Sequence, residues 1–122
     1  MYAADRVIED DVLSKLPEPT GYKVLVAMPS VEDATKGGVL LPDELKSLEQ
    51  TASIVGLVVK VGPDAYNDTK KFPNGPWCKE EDYVIFRSYS GTRFKIGKQE
   101  FRIINDDTVE ATVEDPRAYQ RV

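Results

Sequence analysis

A chain of 122 residues with 41% hydrophobic and 30% charged side chains suits one globular domain with a modest core, and excludes a wholly disordered chain. Its formal net charge of −5 repels phosphate backbones and argues against general nucleic-acid binding. There is no histidine and only Cys78 as a thiol, which removes Ser-His and Cys-His nucleophile pairs, an internal disulfide and a thiolate metal cluster. No catalytic residue, metal ligand or cofactor is therefore assigned.

No apolar run approaches the roughly 20 residues of a membrane span. The acidic start, MYAADRVIEDDVL, lacks the basic region of a signal peptide. The expectation is a cytoplasmic protein that binds neither membrane nor nucleic acid.

Val7, Ile8, Val12, Leu13 and Leu16 fall near helical spacing and Pro17 and Pro19 stop the run, which predicts a short amphipathic helix within residues 5–16. Gly21 opens a strand over residues 22–28. Tyr22, Val24, Val26 and Met28 share one face of it and Lys23, Leu25 and Ala27 the other, with at least one face buried. A polar stretch follows from Ser30 to Ser53, interrupted by Gly37-Gly38-Val39-Leu40-Leu41. Three consecutive aliphatic side chains on a polar tether have two readings: a short core strand, or a segment that something else buries.

Apolar content resumes over residues 54–61, where the internal Gly56 signals a bulge or a close backbone approach. Residues 63–82 form a long polar connection. Its Asn74-Gly75, flanked by Pro73, Pro76, Phe72 and Trp77, predicts a hairpin turn. Short strands follow over residues 83–88, 92–97, 100–105 and 108–113, separated by Ser90-Gly91, Gly97-Lys98 and Asp106-Asp107. In the last of them Val109, Ala111 and Val113 share a face. Closely spaced strands with almost no helix predict a small all-β barrel.

Neither GxxxxGK[ST] nor GxGxxG occurs. Glu80-Glu81-Asp82 and Asp106-Asp107 lack the alternating spacing of a calcium loop and read as solvated turns. Cys78, with no base nearby in sequence, reads as a packed or idle thiol. Arg87, Arg93, Lys95 and Lys98 alternate with Phe86, Tyr89 and Phe94. This suits a surface for single-stranded nucleic acid or an ordinary strand with its polar face outward, and the acidic whole favours the ordinary strand. Nothing points to an enzyme.

Three blocks, in order, resemble the GroES-type co-chaperonins of the chaperonin-10 family. Tyr22–Met28 with the polar segment and GGVLL resembles the family's first strand, mobile loop and Gly-Gly-hydrophobic triplet. IVGLVVKVGPD resembles the strand after the loop, and EEDYVIFRSYSGTRFKIGKQEFRIINDDTVEATVED resembles the C-terminal half. The resemblance implies an irregular GroES-like β-barrel over residues 21–115, with a mobile loop at 30–53 and a β-hairpin dome within 63–82. An N-terminal extension (1–20) and a tail (116–122) would flank it. It further implies that Gly37, Gly38, Val39, Leu40 and Leu41 bind a GroEL-type chaperonin, and that copies form a homo-oligomeric, heptameric ring over an enclosed client protein. In the family the first and last strands pair between subunits, here Val24, Val26, Val109, Ala111 and Val113. Tyr89, in the aromatic-Gly turn, is either a packed barrel residue or faces the cavity.

The departures are Glu81-Asp82 in place of the family's Gly-Asp, Pro42 after the triplet, both terminal extensions, and a longer, more aromatic dome. Divergent co-chaperonins vary in this way, phage-encoded ones that serve capsid-protein folding among them, and the sequence leaves phage and cellular origins open. A competing role is a virion or assembly accessory that uses the same loop as a fixed docking element. Medium-chain dehydrogenases carry a GroES-like domain, but they need a Rossmann domain and metal ligands that are absent here.

Overall fold

The computed structural model describes residues 10–28, 54–116 and 119. Its elements are a one-turn helix α1 (Asp10–Leu13), strands β1 (Lys23–Ala27), β2 (Val55–Val61), β3 (Tyr83–Ile85), β4 (Thr92–Ile96), β5 (Gln99–Asn105) and β6 (Ala111–Val113), and a 3-10 helix, Asp106–Thr108. The strands pair antiparallel in one sheet, in the order β4-β5-β1-β2-β3-β6. The chain is therefore all-β, as the strand spacing predicts. Among the described residues no pairing joins β4 to β6, so these two strands are the sheet's edges.

β1 is central because both of its faces are apolar. Val24, Val26 and Met28 enter one core cluster with Val58, Val84, Phe86 and Ile104, while Leu25 and Ala27 enter a second with Phe101. The first face is covered by Ala65, Tyr66, Phe72 and Cys78 from the connection after β2. The second is covered by Val12 of α1 and by Leu16, with Leu57, Phe94, Ile96 and Ile103 partly buried around them. Each large apolar side chain withdrawn from water stabilises the fold by about 1.5–3 kcal/mol, so a strand buried on both faces carries a large share of the core. Residues 5–9 of the expected helix lie outside the described residues. Within α1, Val12 is buried and Leu13 is 45% exposed.

One sequence expectation narrows and two change. Gly56 marks a close approach, not a bulge: a Cβ there would lie 3.1 Å from Met28 Sδ and 3.3 Å from Phe86 Cε1. The irregularity falls at Val59 instead, since Leu25 pairs with Lys60 and Val26 with Val58. The dome is not a β-hairpin: residues 62–82 run through turns with no strand, and Gly75 N donates to Phe72 O at 3.2 Å to close one of them. The last strand begins at Ala111 and not at residue 108. The Asp106–Thr108 turn places Val109 in the core before Glu110 N reaches Ile85 O at 2.8 Å.

Candidate functional site

Gly37, Gly38, Val39, Leu40 and Leu41 lie outside the described residues. Described instead is the root from which residues 29–53 leave the sheet. Met28 N donates to Glu100 O at 2.9 Å, and Phe86 N donates to Ile54 O at 3.0 Å on the returning limb. Met28 is buried, its sulfur close to Gly56 across the β1–β2 pair. Gln99 Nε2 donates to Met28 O at 2.7 Å and to Glu100 O at 2.8 Å. The two limbs are thus fixed side by side on the sheet.

Of the five residues expected between subunits, Val24, Val26 and Val109 are enclosed in the core of the single chain. Strand β1 is also hydrogen-bonded along both edges, to β2 and β5, so it has no edge to offer a neighbour. The reason is the double apolar face of β1, which the alternation displays but does not convert into a position in the sheet. Ala111 is exposed and Val113 half-buried on β6, which among the described residues pairs only with β3.

Tyr89 is 85% exposed, on the turn closed by Ser90 N donating to Arg87 O at 3.0 Å. The turn requires glycine at position 91, where φ is +79° and a Cβ would lie 2.4 Å from Ile103 O. Beneath it sits Arg102, 2% exposed. Its Nη1 donates to Ser88 O at 2.5 Å and its guanidinium lies 5.6 Å from the Phe86 ring centroid. Nε has no hydrogen-bond partner among the described residues, and Glu100 Oε2 is 3.8 Å away. Burial first, then Arg93, holds the Arg102 pKa below the usual guanidinium range, while Glu100 opposes the shift. Sequence reasoning passed over Arg102 and Gln99. The available signal was Arg102 sharing the inward parity of Ile104 in EFRIIN.

The connection after β2 is tied to the 3-10 turn that follows β5. Tyr66 adopts φ of +62°, which is disfavoured for a bulky residue, and polar contacts hold it there. Its N–H donates to Asp106 Oδ2 at 2.9 Å and its hydroxyl to Asp106 O at 2.8 Å, with Cys78 Sγ 3.3 Å from the same hydroxyl. Phe72 meets Tyr66 edge-on at 4.9 Å and Trp77 edge-on at 4.8 Å. Burial raises the pKa of both the Tyr66 hydroxyl and the Cys78 thiol, so each stays neutral near pH 7. An open cleft of about 510 Å³ beside this cluster is lined by Asp64, Asp68, Asp106 and Asp107. Among the described residues no group of His, Cys, Asp or Glu is arranged to hold a metal ion. None of the described helices is long and apolar enough to cross a membrane.

The sequence that builds these elements matches a known family. The profile described as Chaperonin 10 Kd subunit covers residues 17–113. The chain belongs to the chaperonin 10 family. Proteins named Co-chaperonin GroES from Caldicellulosiruptor saccharolyticus and from Caldicellulosiruptor bescii are each 37% identical to it over 97 residues, covering 80% of this chain and 96% of the relative. Members of the chaperonin 10 family are chaperone partners without enzymatic activity of their own. Helix α1 lies outside the family match.

Proposed function

We propose that this chain is a cytoplasmic co-chaperonin whose copies form a heptameric ring and cap a GroEL-type chaperonin through Gly37, Gly38, Val39, Leu40 and Leu41, closing a chamber over a client protein. The observation that carries the reading is the fixed root at Met28 and Ile54, which anchors a polar segment holding one aliphatic triplet. Burying that triplet in an apolar groove is worth roughly 5–8 kcal/mol. Ordering about ten tether residues costs on the order of 10 kcal/mol, so a single segment binds weakly. Several segments on one rigid ring then engage intramolecularly, and avidity turns weak contacts into tight, reversible capping.

For ring contacts we take the edge of β6, carrying Ala111 and Val113 of the expected interface, and β1 contributes from within the core. The neighbour then supplies a strand other than β1, and residues 16–20, which join no strand ladder among the described residues, are the candidate. Tyr89, exposed on its turn, is assigned to the cavity side.

Size-exclusion chromatography with light scattering, with and without a GroEL-type ring and with and without ADP or ATP, tests the reading. The expected result is a ring-sized species alone and a nucleotide-dependent complex. Binding that ignores nucleotide would favour a fixed docking element, the role of a virion or assembly accessory.

A further inference from the structure

We propose that Gln99 is a positioning residue for capping, in that its side chain fixes the root from which residues 29–53 leave the sheet. This rests on the function proposed above and deepens it. Met28, directly after β1, faces Glu100 of β5, and the Gln99 carboxamide reinforces this end of the ladder. Its nitrogen donates to Met28 O at 2.7 Å and Glu100 O at 2.8 Å, while Met28 N donates to the same Glu100 carbonyl at 2.9 Å. Gln99 is 7% exposed, and a carboxamide buried without hydrogen bonds would be unfavourable, so this pairing also determines which way the side chain points.

The consequence follows from the tether. Met28 is clamped by Gln99, and Ile54 on the other limb is held by Phe86 N. Without the clamp, the end of β1 frays, Met28 no longer packs against Gly56 of β2, and each tether lengthens at both limbs. An extra length of about four residues lowers its effective concentration by about a fifth, which compounds over a seven-membered ring to about four-fold weaker capping.

Gln99→Met keeps length and volume without the donors, and Gln99→Glu sets a carboxylate against two carbonyl oxygens. Rings of both variants, of the unmodified protein and of Leu40→Asp are titrated with a GroEL-type chaperonin in ADP, and hydrogen exchange is read at the Met28 and Leu25 amides. The expected result is unchanged ring mass, faster exchange at Met28 but not at Leu25, and capping about four-fold weaker for Gln99→Met and weaker still for Gln99→Glu. A residue important only for stability shifts the melting temperature and leaves the affinity of the folded ring unchanged. Unaltered affinity in both variants, or loss of the folded ring in both, overturns the positioning role. Leu40→Asp binding like the unmodified protein would instead defeat the capping function itself, and this proposal with it.

Discussion

Two long polar connections leave the same sheet, residues 29–53 between β1 and β2 and residues 62–82 between β2 and β3, and they are built differently. The second places Tyr66, Phe72 and Cys78 in the core and ties Tyr66 to Asp106, so a run of turns without strands becomes the cover of one sheet face. The first contains no aromatic residue and gathers three aliphatic side chains into one run behind two glycines. Its described anchors are backbone hydrogen bonds and one carboxamide at the root. A connection joins the core when bulky side chains are spread along it. One whose densest apolar run is a triplet set between polar stretches is suited to binding something else.

Breaking the ring tests the first connection's dependence on its neighbours and carries the largest expected effect. Ala111→Asp places a charge on the open edge of β6 without touching the core, which Val109 substitutions would disrupt. Circular dichroism should show native strand content in a monomer, and titration calorimetry should show chaperonin binding weaker by roughly 10²–10⁴-fold. Affinity near that of the intact ring would mean that one segment suffices.

Breaking the second connection should cost stability directly. Phe72→Ala removes a buried ring that meets both Tyr66 and Trp77, and urea unfolding should show a loss of about 3–5 kcal/mol. Tyr66→Phe is a finer cut. It deletes the hydroxyl that bonds Asp106 O and should cost about 1–2 kcal/mol in the same assay.

The smallest effect is one of pH. The Cys78 and Tyr66 pKa values are raised by folding, so both groups stay protonated in the native state at pH values where the unfolded chain ionises them. Their contribution is therefore complete at neutral pH and is lost as pH rises above the ordinary thiol range and then the phenol range. Urea midpoints should fall with rising alkalinity, less steeply in Cys78→Ala, and equal slopes would remove the thiol from the account.

Much of this architecture was legible in the sequence, for physical reasons that differ from place to place. The alternation of residues 22–28 separates the two faces of β1 correctly, because side chains of a strand point to opposite sides whatever its partners are. The same alternation says nothing about which strands flank it. The placement of Val24 and Val26 between subunits came from the family resemblance, and both are enclosed in the core of this chain. Gly56 carried a real signal of close approach, but the bulge at Val59 leaves no mark in composition. Asn74-Gly75 forms a turn without strands because Phe72 and its neighbours are drawn into the aromatic cluster and not into a ladder. The clamp at Gln99 depends on a partner 71 positions away, a contact that no local pattern reveals.

The most direct test of the central claim is a calorimetric titration of assembled rings, unmodified and Leu40→Asp, into a GroEL-type chaperonin with and without ADP. The account predicts tight binding by the unmodified ring only with nucleotide. For Leu40→Asp it predicts a ring of unchanged mass and fold that does not bind. A Leu40→Asp ring that binds as the unmodified ring does, or a Leu40→Asp chain that fails to fold, would contradict it, the second by showing that the triplet belongs to the core.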